Sequence, residues 1–294
     1  MADIMAGGIR IEYRRQGRGA PLVLFHGAFE DSRIWTDEFD RLTPYVDLIA
    51  WDAPGCGESA DVPAGWTDRD WADAAASFVT SLGLTAPCVA GFSMGSVLAL
   101  LLARDHPDAV GSLVLIGAYA GWAGSLDAEA LAERVEAVRF TIDHPVDEWA
   151  AGFLDSVFTA DAALERRAMA RALLDDWRPA TTAALLEVMT MDLRPALPSI
   201  RTPTVIVRGA QDVRSPRAAA LEMVEALPDA RFIEIADAGH DCTGPELDAV
   251  LTTEAAEAEC RTITRVAASV TDATATDSAE PAGPPCPPDV RPPS

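Results

Sequence analysis

Short apolar runs recur along the chain, and stretches with helical spacing separate them. Leu22–Phe25, Val46–Trp51, Cys88–Ala90, Leu113–Ile116, Val205–Val207 and Phe232–Ile235 have the length and character of buried strands. Most are continuously apolar rather than alternating, the pattern of a parallel sheet covered on both faces. Ile9, Ile11 and Tyr13 do alternate, which predicts an antiparallel strand at the start. Between the runs, Trp71, Ala75, Phe78, Val79 and Leu82 share one helical face. Met94 to Arg104 is nearly all apolar, so that helix should be buried. Ser215 followed by Pro216 reads as a helix start, with cap and first-turn proline in order. Strand–helix alternation of this kind predicts a doubly wound α/β domain.

Two regions break the rhythm. Residues 119–199 contain helical patterns such as Ala128–Phe140 and Ala162–Leu174 but no convincing strand. They are expected to form a helical cap that divides the core into residues 1–118 and 200–260. From about Arg261 to Ser294 the chain turns to Ala, Thr, Asp and Pro, and a disordered tail is expected there.

The net charge of −23 changes the picture of partners. So acidic a chain repels phosphate backbones and anionic membranes, which argues against nucleic acid and against membrane docking. All its cations are arginine, since the chain has no lysine. That excludes a phosphate-loop lysine and a Schiff-base lysine. Cys56, Cys88, Cys242, Cys260 and Cys286 show no C-x-x-C spacing and no disulfide framework, so reduced thiols are expected. Met1 to Gly8 has no signal-peptide pattern, and no apolar stretch is long enough to span a bilayer. A cytoplasmic location is the expectation.

The sharpest motif is Gly91-Phe92-Ser93-Met94-Gly95. G-x-S-x-G is too short to mean much alone. Here it follows the apolar run Pro87–Ala90 and precedes the buried helix, the strand–turn–helix setting of a nucleophile elbow. The glycines are expected to let the backbone turn tightly and leave Ser93 exposed at the tip. A serine nucleophile needs a base, and the base an orienting acid. Four histidines compete: His26, His106, His144 and His240. Only His26 and His240 leave the carboxyl ends of strands, where doubly wound sheets gather their ligands. Among acids, Asp212 and Asp52 also leave strand ends, while Asp241 adjoins His240. The order Ser93, Asp212, His240 is the one expected for this architecture. Asp52 opens Asp52-Ala53-Pro54-Gly55-Cys56-Gly57-Glu58-Ser59, which reads better as a structural turn.

On these residues the chain resembles the α/β-hydrolase superfamily over about residues 9 to 255. The His26-Gly27 loop, the Asp52–Ser59 turn, the Gly91–Gly95 elbow and the Asp212/His240 pair occur in order. The resemblance implies a mostly parallel, doubly wound sheet with a helical cap inserted after the sixth strand. It also implies Ser93 as nucleophile, His240 as base, Asp212 as orienting acid, and an oxyanion hole from the N–H groups of Ala28 and Met94. Dehalogenases and epoxide hydrolases of this fold carry aspartate at the elbow, so the serine argues against both. The Ser-Met pair is similar to small bacterial esterases, enol-lactonases and cofactor-free perhydrolases. After Val250 the chain departs from its relatives: Thr252 to Glu259 lacks the aromatic and aliphatic residues with which they finish the last helix.

The expected activity is acyl transfer on a small-molecule ester or lactone, with no cofactor and no metal. A triad-bearing receptor and a C–C hydrolase or lyase on the same fold stay open. Phe29, Trp122 and Phe153 are candidate substrate contacts; Phe140, Trp149, Phe158 and Trp177 are further aromatics of the cap region that read as its core or as a pocket wall. Gly55-x-Gly57-x-x-Ala60 mimics a dinucleotide fingerprint, but Pro63 and Gly65 interrupt the helix it would need. Cys242, close to His240, reads as a spectator, and no histidine pair has metal-ligand spacing.

Overall fold

Each continuous apolar run becomes a strand with apolar neighbours on both faces. The computed structural model describes residues 1–274, with side chains to Arg265. In chain order the strands are Ala2–Ala6 (β1), Ile9–Gly17 (β2), Ala20–Phe25 (β3), Val46–Trp51 (β4), Cys88–Phe92 (β5), Ser112–Ile116 (β6), Thr204–Gly209 (β7) and Ala230–Ile235 (β8). They form one sheet in the order β1-β2-β4-β3-β5-β6-β7-β8. The β1–β2 and β2–β4 pairs are antiparallel and the remaining pairs are parallel. The helices are Thr36–Leu42 (α1), Asp68–Ser81 (α2), Met94–Asp105 (α3), Ala128–Asp143 (α4), Ala150–Val157 (α5), Leu164–Asp175 (α6), Pro179–Met189 (α7), Arg217–Ala226 (α8) and Pro245–Thr274 (α9).

Successive strand residues feed two separate cores. In β3, Val23 and Phe25 join one cluster, while Leu22 and Leu24 join the other. β6 divides in the same way, with Leu113 and Leu115 opposite Val114 and Ile116. The first cluster is completed by Trp71 and Phe78 of α2, Leu98 and Leu101 of α3, and Met223 of α8. Phe39 of α1 and Leu247, Leu251 and Ala255 of α9 complete the second. Double coverage is the physical reason these strands show no alternation. Each large side chain so buried contributes roughly 1.5–3 kcal/mol.

Helices α4 to α7 occupy the chain between β6, the sixth strand, and β7. Trp149 and Phe153 pack on Phe29 of the core at ring-centroid distances of 5.2 and 5.1 Å. Buried Arg166 of α6 reaches Asp241 at 2.9 Å and Glu38 at 3.5 Å, an ionic contact between the insertion and the sheet domain.

One strand was not expected, and two local expectations are corrected. β1 has no counterpart in the apolar pattern, because only Ala6 of this short edge strand is fully buried. Ser215 does not cap α8: Pro216 takes that position, and the Ser215 hydroxyl donates to the Ala118 carbonyl at 2.7 Å. The chain is not a tail from Arg261, since α9 runs unbroken to Thr274. Its alanines are what lets it lie close to the sheet. Ala255 and Ala258 are fully buried, and a β-carbon on Gly111 would sit 3.2 Å from that of Ala258. The expected disorder of 275–294 lies outside the described residues.

If α9 is part of the core, Leu251→Ala should lower unfolding free energy in urea by about 2–5 kcal/mol. Ile263→Ala, on the exposed face of the same helix, should stay within about 0.5 kcal/mol. Equal, small effects would show that α9 is dispensable.

Candidate active site

From β3 the chain crosses to β4 on one side, then returns to β5 on the other. The loops after β3 and β5 therefore emerge side by side, at the switch point where open α/β sheets form ligand crevices. The first carries His26 to Glu30, and the second carries Ser93.

Ser93 has φ 50° and ψ −111°, a conformation few non-glycine residues adopt. The flanking glycines have no positive φ themselves. Their role is close approach: a β-carbon on Gly91 would lie 2.2 Å from the Gly95 oxygen, and one on Gly95 2.3 Å from the Phe25 oxygen. The Ser93 N–H donates to the Ile116 carbonyl at 2.8 Å, and the Ser96 hydroxyl donates to the Ser93 carbonyl at 2.6 Å. Ser93 is only 9% exposed, so its side chain is not out in solvent as expected. It opens into a cleft beneath α4 and α7.

His240 follows β8 and Asp212 follows β7. His240 Nδ1 lies 2.8 Å from Asp212 Oδ2, and both groups are buried. The other carboxylate oxygen accepts from the N–H of Arg214 at 2.7 Å and of Ser215 at 3.0 Å. Arg208 braces this turn, donating to the Asp212 and Ser215 carbonyls. Nδ1 thus carries the imidazole proton. Nε2 is buried and has no partner among the described residues. Burial pushes the Asp212 carboxyl up, yet the His240 charge, its hydrogen bond and the two amides hold it below the ordinary value. For His240 burial wins, and the ring titrates below its ordinary value although Asp212 opposes this.

The remaining candidates are engaged elsewhere. Asp241 pairs with Arg166, and Asp52 accepts from the Ser32 and Glu58 amides, fixing the turn that follows β4. His26 is neutral, accepting from the Ala53 N–H at Nε2 and donating from Nδ1 to the Gly27 carbonyl. His106 contacts Asp73, and His144 stacks on Phe140 away from the cleft. Burial pushes the Cys242 thiol well up, so it is a poor source of thiolate. Among the described residues, no three His, Cys, Asp or Glu side chains could hold a metal ion.

The cleft is narrow and partly open to solvent, and Ala28, Phe29, Ser93 and Trp122 lie on its wall. Met94 opens α3, so its N–H has no acceptor within the helix. The Ala28 N–H donates to no protein group among the described residues. Phe153 is not on the wall: it stands behind Phe29, edge to face. Trp177 is on the wall, whereas Trp149 packs on Phe29 and Phe158 is buried in the core.

The model of the alpha/beta hydrolase family matches residues 22–253. The chain belongs to this family. The hydrolase is 32% identical over 233 residues to a pimeloyl-[acyl-carrier protein] methyl ester esterase of Aromatoleum aromaticum, an alignment covering 74% of this chain and 90% of the relative. It is 28% identical over 239 residues to a putative carbamate hydrolase of Pseudomonas savastanoi, covering 78% and 90%. An esterase structure from Exiguobacterium antarcticum superposes with TM-score 0.78 at 23% identity, over 87% of this chain and 98% of that one. Among the described residues of the hydrolase, no helix is long and apolar enough to cross a membrane.

Three residues of this site carry no signal in the sequence. Arg134 and Arg214 line the cleft but belong to no motif. Gly117, at the end of β6, has φ 54°, and a β-carbon there would lie 2.8 Å from His240 Cε1. Gly117→Ala should therefore displace the imidazole. A displacement of about 1 Å costs about 10² in kcat, with the fold retained by circular dichroism; undiminished kcat would show that the ring has room. In the unmodified hydrolase, the His240 Cε1 proton followed by NMR should titrate with a midpoint below ~6.5. A midpoint at or above that value would contradict the dominance of burial.

Proposed function

We propose that the chain is a serine hydrolase that cleaves a carboxylic ester or lactone through an acyl-enzyme. The observation that carries the reading is the oriented His240–Asp212 pair, with an unpartnered Nε2, in the same site as the strained Ser93. Ser93 Oγ attacks the carbonyl carbon as His240 Nε2 takes its proton. Asp212 holds the tautomer that leaves Nε2 free and stabilises the imidazolium, without taking the proton itself. The carbonyl oxygen becomes an oxyanion against the amides of Ala28 and Met94. These amides are positioned before reaction, so their reorganisation costs little. The N-terminus of α3 adds the positive end of its dipole. His240 then protonates the leaving alkoxide, or the ring oxygen of a lactone. Water, deprotonated by the same nitrogen, releases the acid. The helices over the cleft limit solvent around the acyl group.

Turnover of chromogenic esters and lactones tests this. Ser93→Ala should abolish many-cycle release, and Asp212→Asn should lower kcat by roughly 10³–10⁴ with the fold intact. Asp241→Asn, which removes one of the carboxylates paired with Arg166, should lower the melting temperature and spare most of kcat. A single stoichiometric burst without further turnover would refute the hydrolytic cycle. An Asp212→Asn variant near full activity would refute the acid.

A further inference from the structure

Arg134 of α4 and Arg214 in the loop after β7 meet on the wall of the cleft that holds Ser93. Their surroundings are unusual for this chain. It has twice as many acidic residues as cations, 46 against 23, yet neither guanidinium forms a salt bridge among the described residues. Arg134 donates from Nη1 to the Tyr119 hydroxyl at 3.1 Å and from Nη2 to the Arg214 carbonyl at 3.2 Å. Arg214 donates from Nη1 to the Ser156 hydroxyl at 2.7 Å. Aromatic faces support both: Arg214 lies 5.0 Å from the Phe153 ring centroid, and Arg134 lies 5.6 Å from that of Trp122. Asp212, close by, directs its oxygens at His240 and at backbone amides, not at these guanidinium groups.

A guanidinium presents five N–H donors and stays charged. With the bonds above, each has donors left over. Two like charges held together with no ion-paired carboxylate repel each other. Burial, and after it Arg134, push Arg214 below its ordinary value, while Tyr119, Asp212 and Glu30 oppose this without forming an ion pair with it. A carboxylate between them would relieve the repulsion and accept the remaining donors in fork geometry. Apart from Ser93 and Thr182 the rest of the wall is apolar, including Val138, Leu185 and Leu186. That suits a hydrocarbon segment between the reacting carbonyl and the charged end.

We propose that Arg134 and Arg214 form a carboxylate subsite, so that the preferred substrate is an ester with a second, ionised carboxyl group remote from the bond that is cleaved. This rests on the hydrolytic reading of Ser93 given above. It also inverts the expectation from net charge: the acidic surface repels anions, while the cleft selects one.

Matched ester pairs provide the test. In the first pair, para-nitrophenyl hydrogen adipate is compared with para-nitrophenyl hexanoate, placing the charge on the acyl side. In the second, para-carboxyphenyl acetate is compared with phenyl acetate, placing it on the alcohol side. The full chain should favour the anionic member of one pair by about tenfold or more in kcat/KM, the worth of a charge-assisted hydrogen bond. Arg134→Gln and Arg214→Gln should bring that ratio toward one, and Arg→Lys at either site should restore it in part. Adipate should raise the melting temperature of the Ser93→Ala protein, but not that of the same protein carrying Arg214→Gln. Ser93-dependent turnover with no anionic preference in either pair overturns the subsite and leaves the hydrolytic reading standing. Arginine-dependent binding of adipate without Ser93-dependent turnover of any ester does the reverse. Because the ratio is read first in the unmodified protein, a variant that fails to fold does not remove the test.

Discussion

The backbone contact between the β5–α3 turn and the loop after β3 is the constraint on which the site depends. Gly91 touches Gly95, and Gly95 touches the end of β3, each closer than any side chain would allow. That contact forces Ser93 into φ 50°, a strain of about 1–3 kcal/mol that the surrounding structure must offset. The same contact brings the Ala28 loop beside the first turn of α3. Nucleophile candidate and amide donors are therefore one geometric unit. Glu30 supports it from behind, accepting the Gly27 N–H at 2.8 Å, and burial raises its carboxyl to about 8.

The electrostatics of the cleft run opposite to those of the whole chain. The net charge is −23, but the acids nearest the cleft are already engaged. Asp212 is held by His240 and two amides, and Glu30 accepts the Gly27 N–H. The cleft wall carries two guanidinium groups with no ion pair among the described residues, and His240, kept neutral by burial, packs against Phe92 next to Ser93. The guanidinium and N–H groups favour negative charge that develops or arrives there, whereas the Nε2 lone pair of His240 favours a proton. In a partly desolvated site such charges act with far less screening than at the surface.

The inserted helices contribute in two ways. Arg166 ties α6 to Asp241, the neighbour of His240, and to Glu38 of α1. This buried cluster fixes the insertion on the side of the site away from the cleft. On the cleft side, α4 has no buried residue and meets the site through Arg134 and Val138. The better-anchored helices thus brace the segment that carries His240, and the less buried helix shapes the cleft.

Patterns with a short period were legible in the sequence. The parallel strands followed from continuous apolar runs, because double coverage demands them, and the elbow followed from a serine between two glycines placed after a strand and before a buried helix. The pairing of Asp212 with His240 was legible as chain order, since both leave the ends of neighbouring parallel strands. What remained hidden depended on contacts between segments far apart in sequence. β1 is too short to show a period, and α9 packs through alanines whose value lies in close approach to Gly111 rather than in hydrophobicity. Gly117 matters only because His240, far along the chain, folds against it. Arg134 and Arg214 stand in unremarkable polar surroundings in the sequence, and only the packing of α4 over the sheet puts them in one cleft without an acid between them. The sequence by itself determined the fold class and the candidate nucleophile, base and acid, because local periodicity and chain order suffice for these. Which charges stay unpaired was decided by tertiary structure alone, because pairing is a property of distances between segments that no local pattern encodes.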